Sequence, residues 1–221
     1  MQSNFTSTEE NYIKAIYHLQ QASGSVTTNE LSASLHTKPA TVTDMLKKLK
    51  VKKLINYEPY KVFQLNAEGK KVALTIIRRH RLWEYFLVEK LAFGWDEVHD
   101  VAEELEHVGS KKLIDKLDMF LDFPKFDPHG DPIPDSNGKM SVIQQICLTE
   151  LPVNKPAQVV SVGSQASELL ELLSHKNIAI GTKLEVKKKF VFDGSVEVKV
   201  KNVAPVNISD QLAKVLFVKQ L

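Results

Sequence analysis

Cysteine is almost missing from this chain of 221 residues: Cys147 stands alone. One thiol excludes an internal disulfide and any zinc or iron–sulfur site built on several cysteines. Long apolar runs are missing too, since no stretch reaches the roughly 18 residues that a membrane span needs. The opening residues, MQSNFTSTEEN, have neither the basic nor the apolar part of a secretory leader. Internal repeats and low-complexity tracts are also lacking. What is present is 43% hydrophobic and 25% charged, the balance of an ordinary globular chain of one to three domains. A cytoplasmic protein with no membrane partner is expected.

The net charge of +2 hides an uneven distribution. Residues 1–72 carry ten Lys/Arg against six Asp/Glu, whereas residues 73–139 carry nine against fourteen and hold four of the seven histidines. Residues 140–221 return to a basic surplus, ten against seven. A basic first third beside an acidic, histidine-bearing middle suggests one part for a polyanion and another for cations.

The middle carries the most informative pattern. His80 and Glu84 lie four apart, and His99, Glu103, Glu106 and His107 follow on what reads as one further helix. At about 100° per residue these last four fall within an arc of roughly 100°. Imidazoles and carboxylates on one stripe are what a borderline-to-hard divalent cation asks of a protein. The same residue types also make an ordinary solvated face, so the flanking sequence has to decide.

Before this stripe, Tyr12, Ile13, Ile16, Tyr17 and Leu19 recur at helical spacing behind a cap at Ser7 or Thr8. Ser23-Gly24-Ser25 ends that helix. A short second helix starts with Thr28 as its cap and turns Leu31 and Leu35 inward. Pro39 then opens a third helix, at the position where its missing N–H costs nothing. Val42, Leu46 and Leu49 form its buried side, and Leu54–Tyr57 and Val62–Leu65 read as two strands around Glu58-Pro59-Tyr60-Lys61. Three short helices and a hairpin describe a winged helix-turn-helix. Pro39, Ala40, Thr41, Thr43 and Asp44 would face base edges, and Lys38, Lys47, Lys48, Lys52, Lys53 and Lys61 would meet phosphates.

From 67 to 122 the chain reads as helical throughout. Val72, Ile76, Ile77, Leu82, Phe86, Leu87 and Leu91 exceed what a lone surface helix presents, which suggests a subunit interface as well as a core. Residues 123–134 hold four prolines and form a linker that carries Asp127 and His129. Beyond it, alternation at Val159–Val162, Lys183–Val186 and Val196–Val200, with one helix near Ala166 to Leu173, suggests a small SH3-like barrel. The expected architecture is mainly α with a small β component. A winged helix-turn-helix spans residues 1–66, a helical dimerisation and metal domain 67–140, and the SH3-like domain 141–221.

In this order the residues resemble the metal-dependent bacterial regulators typified by the diphtheria toxin repressor and the manganese transport regulators. The resemblance covers the whole chain and is carried by Thr8–Tyr17, Lys38–Val42, Arg79–Glu84, Trp95–His99, Glu103–Val108 and Pro128–Pro134. The third segment, residues 141–221, looks like a ferrous-iron-transport-A-like domain. The resemblance implies a metal-activated repressor that binds an inverted-repeat operator in double-stranded DNA as a homodimer.

It also implies a primary metal site of Asn11, His80, Glu103, Glu106 and His107. A second site would use Glu84, His99, Asp127 and His129, with Glu168 as an acid from the third domain; branches of the family assign the histidine at position 80 to different sites. Glu103 stands where the iron-responsive branch has cysteine, and a carboxylate in place of a thiolate favours Mn(II) over Fe(II). Zn(II) or Co(II) would also bind in vitro. Asn11 departs from both branches, and Lys14 stands where some manganese regulators have a ligating glutamate. Asp127 likewise replaces a cysteine common among relatives.

Three other readings compete. Glu104-x-x-His107 is one copy of the motif of a di-metal carboxylate enzyme, which needs two copies and two further glutamates. An accessory protein of a metal transporter would account for the third segment alone. A DNA binder with a purely structural metal would keep its fold only with the ion bound.

Overall fold

The computed structural model describes residues 5–59, 61–201 and 204–221 and divides the chain into two compact units. One takes in Met1–His80, Glu103–Asp122 and Pro134–Lys139; the other takes in Arg81–Ala102, Phe123–Ile133 and Met140–Leu221.

The first unit opens with α1 (Ser7–Ser23). Its cap is Thr6, one residue before the expected Ser7 or Thr8, because Glu9 lies three residues on and closes a capping box. The same device sets α2 (Thr28–Ser34), where Thr27 pairs with Glu30 and Thr28 is already helical. Helix α3 (Pro39–Val51) begins on the proline as expected. Tyr12, Ile13 and Ile16 of α1 share one core with Leu31 of α2, Val42, Leu46 and Leu49 of α3, and Ile76 and Ile77 of a later helix. Leu46 and Leu49 are fully buried, which contributes about 2 kcal/mol apiece relative to exposure.

Strands β1 (Ile55–Asn56) and β2 (Gln64–Leu65) pair antiparallel, shorter than the four-residue runs suggest. Of the turn between them, Tyr60 lies outside the described residues. Helix α4 (Ala67–Leu91) passes from the first unit into the second at His80–Arg81, and α5 (Val98–Leu105) returns at Ala102–Glu103. Helix α6 (Lys111–Phe120), capped by Ser110, completes the first unit's helices. The helical stretch is therefore three helices separated by turns.

In the second unit, β3 (Ile146–Cys147), β4 (Pro156–Val162), β5 (Lys183–Lys189), β6 (Val196–Val200), β7 (Val206–Ile208) and β8 (Leu216–Gln220) form one antiparallel sheet, ordered β3-β8-β4-β5-β6-β7. Helices α7 (Ser167–His175) and α8 (Asp210–Lys214) accompany it. Register shifts at Val159/Ser161 and Val186/Lys188 mark bulges that bend a small sheet. The inward residues of the sheet and Leu170, Leu173 and Leu212 form a core separate from that of the first unit.

One loop of this unit bears on function. Asp127 Oδ1 accepts from the backbone N–H groups of His129 and Asp131, both at 2.9 Å, and His129 O accepts from Val162 N at 3.1 Å. Gly130, at φ +87°, makes the turn, and a Cβ there would lie 1.9 Å from Val160 O. Gly130→Ala is expected to destabilise the second unit by about 2–4 kcal/mol, from left-handed backbone strain plus overpacking, read as a lowered thermal midpoint.

Candidate metal centres

The first constellation lies within the first unit. On α1, Glu10, Asn11 and Lys14 share an arc of roughly 100°. Helix α4 supplies Arg79 and His80. Glu106 and His107 do not continue the stripe of Glu103, because α5 ends at Leu105 and both lie in the turn that follows. The expected single-helix stripe is thus broken, and the turn aims the two side chains instead.

Glu106 has no exposed surface. Its Oε2 lies 2.7 Å from His80 Nδ1, and the Lys14 ammonium donates to its two oxygens at 2.7 and 2.8 Å. Lys14 also bonds Glu103. Burial pushes the Glu106 carboxyl up, but the His80 hydrogen bond and the Lys14 charge outweigh it and hold the group below its usual range.

His107 is oriented from behind. Its Nδ1 lies 2.7 Å from Glu10 Oε2, which leaves Nε2 turned toward Glu106 at 4.0 Å. Glu10 is itself buried, and its Oε1 accepts from Arg79 at 2.7 Å. A carboxylate fixing one ring nitrogen so that the other faces the site is a common support for a metal-binding histidine. Glu10 and Arg79 are absent from the expected set, although the spacing of Glu10 and Lys14 on one face of α1 signals Glu10. Asn11 Oδ1 is buried and closes no hydrogen bond. A carbonyl oxygen left so normally costs free energy, so a cation as its missing partner suits the chemistry.

The second constellation lies within the second unit. Glu84, Asp127 and His129 are all buried, and each offers one donor atom within 4.8 Å of the others. His99 joins them, its Nδ1 3.3 Å from Glu84 Oε1. His129 Nε2 lies 2.7 Å from Trp95 O, and a carbonyl can only accept, so this nitrogen carries the proton. A neutral ring then points the Nδ1 lone pair at Glu84 Oε2, 3.7 Å away. Asp127 Oδ2 closes no hydrogen bond, and Arg81 Nε lies 3.4 Å from it. Two buried carboxylates and an imidazole nitrogen converging within 4.8 Å are donors of the kind that suit a cation. Glu168 stays exposed in the first turn of α7 and is not part of this group.

Burial, with Glu84 and Asp131 close by, pushes the Asp127 carboxyl up to about 7 against the pull of Arg81 and His129. For His129, burial acts downward, but the Glu84 and Asp127 carboxylates overcome it and raise the imidazole.

On the expected DNA-binding surface, Lys38, Pro39, Ala40, Thr41, Asp44, Lys47 and Lys48 are exposed, while Thr43 is half-buried and donates its hydroxyl to Pro39 O at 3.0 Å. Lys47 pairs with Asp44 at 3.0 Å, and Lys61 with Glu58 at 2.6 Å, all well exposed. Lys52 is held away from a phosphate role by Glu9 at 2.8 Å and by the ring of Phe5.

Three known families match this chain. "Iron dependent repressor, N-terminal DNA binding domain" matches residues 4–62, "Iron dependent repressor, metal binding and dimerisation domain" matches 66–135, and the "FeoA domain" matches 146–220. The HTH-type transcriptional regulator MntR of Oceanobacillus iheyensis is 32% identical over 122 residues, covering 55% of this chain and 82% of its own. The iron-dependent repressor IdeR of Mycobacterium leprae is 27% identical over 165 residues, 72% of each chain. Among solved structures, a manganese-dependent transcriptional repressor in complex with manganese superposes with a TM-score of 0.86 at 30% identity, covering 96% of this chain and all of that one. ScaR with bound Cd2+ superposes at 0.79 and 28% identity, covering 96% and 99%.

The raised carboxyl of Asp127 has a signed consequence. Between about pH 4 and pH 7 the folded protein holds a proton that the unfolded chain has released. The resulting stability is complete below the ordinary carboxylate value and is lost as pH rises through about 7; His129 acts with the same sign. Denaturant titrations in EDTA should therefore show stability falling from pH 5 to pH 8, and Asp127→Asn should flatten that fall. Parallel profiles for the two proteins would contradict the assignment.

Proposed function

The chain belongs to the family of iron-dependent repressors, metal-dependent DNA-binding regulators, and from that premise we propose that manganese(II) is its activating ion. The observation that carries this choice is the donor set of the first constellation: Asn11, His80, Glu103, Glu106 and His107 offer oxygen and nitrogen and no sulfur. Oxygen-rich sites suit Mn(II), whereas thiolate ligands select softer ions. Fe(II) is the second reading, favoured by two imidazoles and by relatives named as iron-dependent repressors. Zn(II) and Co(II) would occupy the same donors in vitro. The members of this family regulate transcription, which sets aside the di-metal enzyme.

His80, Glu106 and His107 would hold the ion, with Glu103 beside them and Glu10 keeping the His107 ring in place. When bound, the ion supplies the positive charge that draws these donors and the Asn11 carbonyl to one point. Asn11 sits on α1, whose Ile13 and Ile16 share a core with Val42, Leu46 and Leu49 of α3. Holding α1 to α4 and the turn after α5 therefore fixes the seat of α3. In a two-fold dimer the recognition helices must enter half-sites about 34 Å apart, so a fixed seat favours operator binding. Operator binding must in return tighten the ion by the same factor.

In this reading residues 1–66 bind an inverted-repeat operator in the cytoplasm, residues 67–140 dimerise and bind metal, and residues 141–221 form the FeoA-type domain. Pro39, Ala40, Thr41, Thr43 and Asp44 meet bases, and Lys38, Lys47, Lys48 and Lys61 meet phosphates. Glu84, His99, Asp127 and His129 make the second metal site.

Fluorescence anisotropy on operator DNA, titrated with Mn2+, Fe2+, Zn2+ and Co2+ at fixed salt, tests the reading. Mn2+ should tighten binding by about tenfold or more, the scale of an ordinary coupling free energy. Glu106→Ala combined with His107→Ala should abolish the effect, and equal operator affinity with and without Mn2+ in the parent protein would refute it. Removing Lys47 or Lys48 should weaken binding on any sequence and lower the log–log salt slope by about one. An unaltered slope would count against the placement of α3.

A further inference from the structure

We propose that Lys14 sets the metal threshold of the first constellation: its ammonium competes with the divalent cation for Glu103 and Glu106. The inference rests on the metal-site reading above.

The Lys14 ammonium reaches both oxygens of Glu106, at 2.7 and 2.8 Å, and bonds Glu103 as well. That is the set of contacts a metal ion would seek from the same two carboxylates. The lysine is largely buried, with 13% of its side chain exposed against none for Glu106, so water does little to weaken the contact. Two carboxylates balance one divalent ion. An ammonium left on the same oxygens would then face a like charge at close range in a poorly screened pocket. Entry of the ion therefore requires the ammonium to leave.

Lysine is suited to leaving. It is a point charge on a flexible four-carbon stem, unlike the planar fork of Arg79, which Glu10 holds. Asn11 lies three residues before Lys14 on the same face of α1. One helix thus carries both the competing cation and a candidate ligand. The tie from α1 to Glu103 and Glu106 thus passes from Lys14 to Asn11 through the ion, one residue position replacing another, and the exchange raises the Mn2+ concentration needed for activation. Lys14 is in this sense a positioning and threshold residue.

Isothermal titration of the full chain with Mn2+ tests this, following the binding phase that Glu106→Ala abolishes. Lys14→Met removes the charge while keeping the length, and should tighten that phase by about tenfold or more while lowering the thermal midpoint measured in EDTA. Lys14→Gln keeps a hydrogen-bond donor without the charge and should tighten it in the same direction, which covers the case in which the methionine variant folds poorly. Lys14→Arg, which keeps the charge and adds the planar fork, should not tighten it, and tightening as large as in the uncharged variants would count against charge competition. Unchanged or weaker Mn2+ binding in both uncharged variants would overturn the proposal and leave Lys14 a structural ion pair. If the parent shows no phase sensitive to Glu106→Ala, the metal-site reading itself fails, and the two failures are distinguishable.

Discussion

A carboxylate shut away from water must be neutralised by the protein around it, and the first unit is organised about one such group, Glu106. The effective cost of burying an ion is several kcal/mol, and removing one partner of a buried pair costs about 3–5 kcal/mol. The partners of Glu106 come from separate stretches of chain, Lys14 from α1 and His80 from α4. Glu10 and Arg79 repeat the arrangement one layer out, again joining α1 to α4. Cohesion therefore uses the same groups that the proposed metal site would use. Any change in charge at Glu106 is felt at α1, and through the shared core at α3.

The two constellations solve the problem of buried negative charge differently. Glu106 is balanced by fixed protein cations, and its carboxyl stays below the usual range. Asp127 has Arg81 at 3.4 Å but also Glu84 and Asp131 nearby, and retains a proton until about pH 7. A metal ion would replace an ammonium at the first and a proton at the second. Acidification should thus weigh on the second, where the proton on Asp127 would compete with a cation below about pH 7.

Much of this was legible in the residues. Periodicity placed the inward faces of α1, α2 and α3, and proline placed the start of α3. The histidine–carboxylate stripe pointed to a cation, and the family resemblance, not the residue types alone, divided the donors into two sets. Capping shifted by one residue, since Thr6 and Thr27 win through a glutamate three positions on, which outranks a hydroxyl alone. The stripe failed after Leu105 because periodicity carries no stop signal there, and neither glycine nor proline marks the turn that aims Glu106 and His107. Glu10 could be read from its place beside Asn11 and Lys14 on one face of α1, but its partner Arg79 could not, because a buried ion pair between distant stretches leaves no local pattern. Glu168 entered only through the family resemblance, as an acid from the third domain, and the fold keeps it at the surface of α7.

On the proposed DNA-facing surface, the exposed lysine pairs explain why control would act on orientation. Lys47 with Asp44 and Lys61 with Glu58 are exposed pairs, each contributing about 0–1 kcal/mol, so phosphate contact can displace the acidic partner at little cost. Lys52 differs: its pairing with the buried Glu9 ties the end of α3 to the start of α1. The contacts available to DNA on α3 are thus present whatever the state of the metal site. What a cation at the proposed site would alter is where α1 sits, and with it α3, through Lys52–Glu9 at one end and the shared core of α1 and α3 beneath. Affinity for two half-sites at a fixed separation depends steeply on that placement, whereas affinity for a single phosphate does not. Metal control should accordingly appear in specific operator binding and be nearly absent from non-specific DNA binding.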